Sequence, residues 1–170
     1  KAAYCTILLF LFSITTYSQD NWTWLNPKPM GYTFYGSAVI PSSSTLIAVG
    51  TKGVIAKTTD NGSSWILIRT DSTSILNSVH FPTSTVGYAC GTNSTLLKTT
   101  NGGESWTSLT PPLPGIGFTQ IQFTDSQTGF LLDKINYRLY KTTDGGSVWA
   151  VYVNENTYGN FNSFYMIDGN

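Results

Sequence analysis

Charge is what this 170-residue sequence has least of: nine Lys and Arg face nine Asp and Glu, 11% of the chain, for a formal net charge of zero. With no basic stripe, electrostatic binding to nucleic acid or to an anionic membrane has no footprint, and neither is an expected partner. Arginine is confined to Arg69 and Arg138, too few for the cluster that clamps a carboxylate substrate by bidentate pairing. The single histidine, His80, stands mid-strand between Val79 and Phe81. A hydrogen-bonded packing role suits that setting better than a catalytic base. After residue 20 one cysteine remains, Cys90, so no internal disulfide can form and burial must hold the fold together. Its run, Val86-Gly87-Tyr88-Ala89-Cys90-Gly91, suits a small buried hydrophobe rather than a reactive thiol. The sequence has no metal-ligand cluster and no phosphate loop, so no cofactor is expected. The one sustained apolar run, Ile7-Leu8-Leu9-Phe10-Leu11-Phe12, is far short of the roughly 20 residues that span a membrane. After residue 20 no stretch keeps a helical period, whereas short runs rich in Thr, Val, Ile and aromatics recur between turn signals.

What the sequence does have is repetition. Thr58-Thr59-Asp60-Asn61-Gly62-Ser63-Ser64-Trp65 returns as Thr99-Thr100-Asn101-Gly102-Gly103-Glu104-Ser105-Trp106 and as Thr142-Thr143-Asp144-Gly145-Gly146-Ser147-Val148-Trp149. A lysine leads each copy: Lys57, Lys98 and Lys141. Trp65 to Trp106 is 41 residues and Trp106 to Trp149 is 43, a period that marks a repeat architecture. Asp-Asn-Gly, Asn-Gly-Gly and Asp-Gly-Gly are hairpin signals, because Asn tolerates positive φ and Gly adopts it without penalty. The Asp or Asn side chain accepts hydrogen bonds from amides further along the turn, and the Thr hydroxyl joins it. The Trp then opens the returning strand and buries its ring beside the corner. Trp65, Trp106 and Trp149 are expected to be buried alike.

The pattern Ser/Thr-x-Asp-x-Gly-x-x-Trp resembles the Asp-box, or bacterial neuraminidase repeat, found once per blade in several β-propeller families. Sialidases, sortilin-like receptors, xyloglucanases and photosystem II assembly-factor-like propellers carry it. The spacing and the Lys-Thr-Thr lead-in are most similar to the last group. The resemblance covers residues 22–170, and Asn101 departs from the usual Asp. It implies an all-β fold: a β-propeller of four-stranded antiparallel blades, about three of them present in an unclosed ring. It also implies a structural role on the blade periphery for Thr58, Asp60, Gly62, Trp65, Thr99, Asn101, Gly103, Trp106, Thr142, Asp144, Gly146 and Trp149. A calcium loop is disfavoured, because acidic ligands at alternating positions are missing.

In chain order, residues 1–19 read as a bacterial-type signal peptide: Lys1, the apolar run, then the small and polar Ser13 to Ser18. Secretion to the periplasm or the cell surface follows, with cleavage expected after Ser18. Residues 22–27, Trp22-Thr23-Trp24-Leu25-Asn26-Pro27, match Trp106-Thr107-Ser108-Leu109-Thr110-Pro111 and read as an outer strand that closes the last blade. Blades are expected over 37–69, 76–110 and 119–153. The second contributes strands at Ser78–Phe81, Gly87–Gly91, Thr95–Thr99 and Trp106–Leu109. The third contributes Gln120–Phe123, Gly129–Leu132, Arg138–Lys141 and Trp149–Tyr152. Ala38-Val39-Ile40-Pro41 aligns over Val79-His80-Phe81-Pro82. Residues 161–170 read as the start of a fourth blade. Propellers close with about four to eight blades, so the sequence is expected to belong to a longer polypeptide whose remaining blades are its nearest partners.

Propellers bind ligands on the face built by the loops from second to third strand and from fourth strand to the next first. A rigid scaffold positions those loops, which is the reason to look there. On them Tyr35, Arg69, Asp71, Tyr137 and Arg138 are candidate contacts for a protein or carbohydrate partner, with Tyr32, Phe34, Lys134 and Tyr158 beside them. No two of Asp71, Asp125, Asp133 and Glu155 are spaced as a catalytic pair, and Asp125 falls on the opposite face. The first reading is a secreted non-enzymatic scaffold for binding or assembly. The alternative is an Asp-box glycoside hydrolase, sialidase- or xyloglucanase-like, with catalytic residues in further blades.

Overall fold

A computed structural model describes residues 31–70, 73–133, 135–153 and 162–167. The expected leader at 1–19, the outer strand expected at 22–27, Asp71, Lys134 and Tyr158 lie outside the described residues. Twelve strands form three antiparallel sheets, each in simple sequential order. The first sheet holds β1 (Phe34–Val39), β2 (Leu46–Gly50), β3 (Val54–Thr58) and β4 (Ile66–Arg69). The second holds β5 (Leu76–His80), β6 (Gly87–Gly91), β7 (Leu96–Thr99) and β8 (Thr107–Ser108). The third holds β9 (Phe118–Phe123), β10 (Gly129–Asp133), β11 (Arg138–Thr142) and β12 (Ala150–Val153). These are propeller blades, open at both sides among the described residues.

The second strands carry nearly unbroken apolar runs, Leu-Ile-Ala-Val-Gly, Gly-Tyr-Ala-Cys-Gly and Gly-Phe-Leu-Leu-Asp, and are buried on both faces. A strand sandwiched between neighbouring sheets has no solvent face on which to alternate. Outer strands β4, β8 and β12 are mostly exposed. The core sits between blades. Ile40, Ile47, Val49 and Ile55 pack against Leu76, Val79, Phe81 and Leu97, and Tyr88, Cys90 and Leu96 pack against Phe118, Ile121, Phe123 and Trp149. Cys90 is fully buried, and burial pushes its thiol well above the usual range.

The first strands begin at Phe34, Leu76 and Phe118, earlier than residue 37, Ser78 and Gln120. Each contains a one-residue bulge, at Tyr35, Asn77 and Thr119, which hides the first residues from an alternation argument. Pairing also shifts the alignment of the first blade. Ala38 faces Ile47 as His80 faces Tyr88 and Gln122 faces Phe130. Ala38 therefore corresponds to His80 rather than to Val79, because the turn from β1 to β2 is one residue longer than its counterparts. Gly50 and Gly91 close the first strands: an added Cβ would stand 2.0 Å from Thr33 O or Ile75 O. The adjoining threonines complete the junction, Thr92 N donating to Ile75 O at 2.9 Å and Ile75 N to Thr92 Oγ1 at 2.9 Å.

His80 joins blades two and three: its Nδ1 accepts the Phe123 amide at 3.3 Å, which requires a neutral ring. Burial lowers its pKa below the reference 6.5, so the folded protein takes up fewer protons than the unfolded chain in acid. Stability should therefore fall as pH drops from about 8 through about 6.5 to about 5.5, a range in which exposed carboxylates stay ionised. Urea midpoints across that range, compared with those of His80→Gln, measure it; a variant with the same pH slope as the parent would refute the assignment.

Candidate functional site

Each corner is built from its own threonine. Thr58 Oγ1 donates to Asp60 Oδ1 at 2.8 Å and accepts the Gly62 amide at 2.9 Å. Thr99 does the same to Asn101 and Gly103 at 2.9 and 3.0 Å, and Thr142 to Asp144 and Gly146 at 2.8 and 3.0 Å. The Asp or Asn oxygen then accepts an amide four residues on: Ser64 at 2.8 Å, Ser105 at 3.0 Å and Val148 at 3.0 Å. Hydrogen bonds from the Ser64 hydroxyl and amide and from Thr58 bring the Asp60 carboxyl down to about 2. Asp144 is held low by the Val148 amide first and by Thr142 next. Asn61 and Gly62, Gly102 and Gly103, and Gly145 and Gly146 all have positive φ. That is why Asn or Gly must stand at the first position and Gly at the second.

The corners do not sit idle at the edge of their own blade. Gly145 O accepts Tyr88 Oη at 3.2 Å and Lys98 Nζ at 3.0 Å, both from the blade before. Gly102 O accepts Lys57 Nζ at 2.9 Å, and Glu104 pairs with the same ammonium. Lys98 also lies 5.3 Å from the Tyr88 ring centre. Burial, with Asp125 adding to it, raises the Tyr88 phenol to about 12 and keeps it a donor. Lys57 and Lys98, two of the three lysines that precede a Thr-Thr, are thus inter-blade latches, a role the sequence pattern marked without explaining.

The three tryptophans are not alike. Trp149 is 9% exposed and donates its indole N–H to Gly146 O at 3.2 Å, whereas Trp65 and Trp106 are half-buried. Trp106 and Trp149 do share one geometry, edge-on to Phe81 at 5.9 Å and to Phe123 at 6.0 Å. Trp106 borders a groove of about 590 Å³ that also touches Ile68, Arg69 and Asn93. It opens where β8 stops after two residues, ahead of Pro111 and Pro112, which cannot donate to a ladder. Trp65 lies with Val39 and Leu46 on a side of blade one that no described blade covers.

On the loop face, Tyr35 is 55% exposed at the β1 bulge. Arg69 Nη2 donates to Tyr32 Oη at 2.5 Å. Tyr137 is half-buried with φ 50°, and Arg138 opens β11 opposite Asp133. Asp133 is fully buried and occupied by its own turn, accepting the Ile135 and Asn136 amides at 2.8 and 3.2 Å and the Asn136 carboxamide at 2.6 Å. Tyr35 and Arg69 belong to the first blade and Tyr137 and Arg138 to the third, with the second blade between them. Among the described residues no group of three or more His, Cys, Asp or Glu stands together as metal ligands.

Trp149→Ala is expected to cost about 3–5 kcal/mol, the range for deleting a buried aromatic. Trp65→Ala is expected to cost clearly less. Chemical denaturation of the two variants measures the difference, and equal losses would contradict the burial difference.

The sequence profile of the family described as Photosynthesis system II assembly factor YCF48 matches residues 18–168. Among solved structures, YCF48 bound to D1 peptide is 27% identical with a TM-score of 0.62. That match covers 72% of this chain and 41% of that one. YCF48 from Cyanidioschyzon merolae is 22% identical with a TM-score of 0.65, over 75% and 39% of the two chains. A Niastella koreensis GH74 enzyme is 24% identical with a TM-score of 0.60, over 72% and 23%. This chain therefore spans about two fifths of the YCF48 structures it matches. No curated protein matches it.

Proposed function

This chain belongs to the Photosynthesis system II assembly factor YCF48 family, and we propose that it is a secreted, non-enzymatic repeat scaffold that binds a protein segment on its loop face. The observation that carries this reading is the separation of charge. Among the described residues, Lys52 stands on the loop joining second to third strand of the first blade, Arg69 is the last residue of β4 and Arg138 the first of β11, all at the loop-face ends of their blades. The one acid described there, Asp133, is buried within its turn. Asp60, Glu104, Asp125 and Asp144 all lie on the opposite face, in the turns from first to second and third to fourth strands. Cationic groups exposed together steer an oppositely charged segment toward them, and among the described residues those of the loop face are cationic. The similarity to YCF48 bound to D1 peptide supports a protein rather than a carbohydrate as that partner.

The GH74 likeness, at 24% identity, supports the fold and no reaction. A hydrolase needs two carboxylates across a cleft, and the described loop face offers only the engaged Asp133. The basic residue and apolar run within residues 1–19 support export, and the repeat pattern supports further blades of the same polypeptide as the scaffold's continuation.

Titration of the chain with the fluorescently labelled D1 peptide and with a labelled acidic decapeptide tests the reading. Binding that weakens with salt, and that falls at least about tenfold in Lys52→Glu/Arg69→Glu, is expected. No binding of either peptide, or binding indifferent to both salt and the double variant, would overturn it.

A further inference from the structure

The turn from β2 to β3 carries a lysine where its backbone favours another residue. Lys52 has φ 58° and ψ 32°, the left-handed region, in which a Cβ crowds the following carbonyl and Gly, Asn or Asp is the usual occupant. The second blade shows that usual solution. Gly50-Thr51 and Gly91-Thr92 close their first strands alike, with Thr51 N on Thr33 O and Thr92 N on Ile75 O, both at 2.9 Å. Lys52 therefore stands where the second blade has Asn93, at φ 53°. Asn93 also works inside the fold, donating from Nδ2 to Ser74 Oγ at 3.3 Å. The Lys52 side chain is exposed, and among the described residues its ammonium meets no carboxylate.

Its neighbours impose the conformation. On one side the Thr51 amide is held by Thr33 O, and Thr51 Oγ1 accepts the Thr33 amide at 3.2 Å. On the other, the buried Gly53 donates its amide to Ser74 O at 2.7 Å. The Gly53 carbonyl accepts Thr70 Oγ1 at 3.0 Å and the Thr70 amide at 3.4 Å. Lys52 is thus one residue between two anchored ones, and a left-handed conformation persists where its surroundings over-determine it. Thr70 follows Arg69, whose register partner is Val54. The Arg69 guanidinium is itself set, donating to Tyr32 Oη at 2.5 Å and lying 5.6 Å from the Tyr32 ring centre. One hydrogen-bonded corner therefore presents two cations with little backbone freedom, and groups held in advance lose less entropy on binding. A lysine that strains its own turn and pairs with no acid of the described fold is one kept for a ligand.

We propose that Lys52 is a specificity-determining contact of the loop face: its mount holds the ammonium for a carboxylate side chain of an acidic segment bound there, at a cost in stability that Asn would not incur. The proposal rests on the protein-binding reading and adds that this lysine acts by its position as well as through the charge of the face.

The 170-residue chain, Lys52→Asn and the exchange variant Lys52→Asn/Asn93→Lys test it. Each is followed by thermal unfolding and by the binding kinetics of the tighter of the two labelled peptides in about 100 mM salt. Lys52→Asn should raise Tm by about 1–4 °C through relief of the left-handed strain. It should weaken binding about fivefold or more, mainly through faster dissociation, because a contact is lost as well as steering. The exchange variant restores the charge of the face with a lysine in the same backbone conformation one blade away, and should bind no better than Lys52→Asn. Where the exchange variant unfolds early, the dissociation rate of Lys52→Asn decides alone. A Tm that Lys52→Asn leaves unchanged or lowers would mean that the lysine serves its own fold. Unchanged dissociation, or affinity recovered by the exchange, would mean that only the charge counts. Any of these results overturns the proposal and leaves the loop-face reading standing. If the parent chain binds neither peptide, that reading fails and the proposal with it.

Discussion

The threonine hydroxyl at the head of each Asp-box turn is the constraint on which the rest depends. By donating to the Asp or Asn and accepting the amide of the glycine four residues on, it fixes a backbone path that passes twice through positive φ. That path leaves a glycine carbonyl pointing out of the blade, available to a lysine from the blade before. It also sets where the returning strand begins, and so where the tryptophan ring meets Phe81 or Phe123. A local turn therefore does long-range work. It carries the cohesion between repeats that, in a stacked architecture, must come from nearest neighbours.

With no disulfide available to the described residues and few charges overall, the scarce ionic groups are placed where burial makes them count. Lys57 is 7% exposed and meets both a carbonyl and a carboxylate. A buried ammonium left unpaired is costly, so each latch lysine ties the folding of one blade to that of the next. Surface polarity is left to Ser, Thr, Asn and Gln, whose side chains also form the turns.

Much of this was legible in the sequence, because turn chemistry is local. The hairpin corners, the order of four strands per repeat, the burial of Cys90 and the packed His80 all follow from residues within a few positions of one another. What was not legible depends on neighbours. Trp65, Trp106 and Trp149 have the same local context yet differ in burial, since cover comes from another blade. The bulges at Tyr35, Asn77 and Thr119 leave no mark on composition. One extra residue in the first turn moved the pairing of Ala38 away from the alignment that Pro41 and Pro82 suggested. The lysines were visible as a repeated letter, but their acceptors lie 45 and 47 residues downstream. For the candidate loop face, the residue types were readable and their grouping by sign was not, because it requires the assembled blades.

The two halves of the blade-to-blade contact vary differently along the chain, and this separates what the repeat must keep from what it can change. The outer latch is constant: lysine to glycine carbonyl at 2.9 and 3.0 Å. The inner contact is not. Gly36 and Ala38 offer no polar side chain, and a Cβ on Gly36 would stand 2.8 Å from Asn77 O, so blades one and two meet backbone to backbone. Ser78 and His80 place a short and a ring side chain between blades two and three. Gln120 and Gln122 reach the next segment through whole carboxamides. The inner contact thus passes from backbone to short or ring side chain to whole carboxamide along the chain, whereas the latch repeats unchanged at the two interfaces where it forms. What varies between interfaces is therefore carried by inner-strand residues that no repeat motif records, while the Asp-box keeps the outer contact the same.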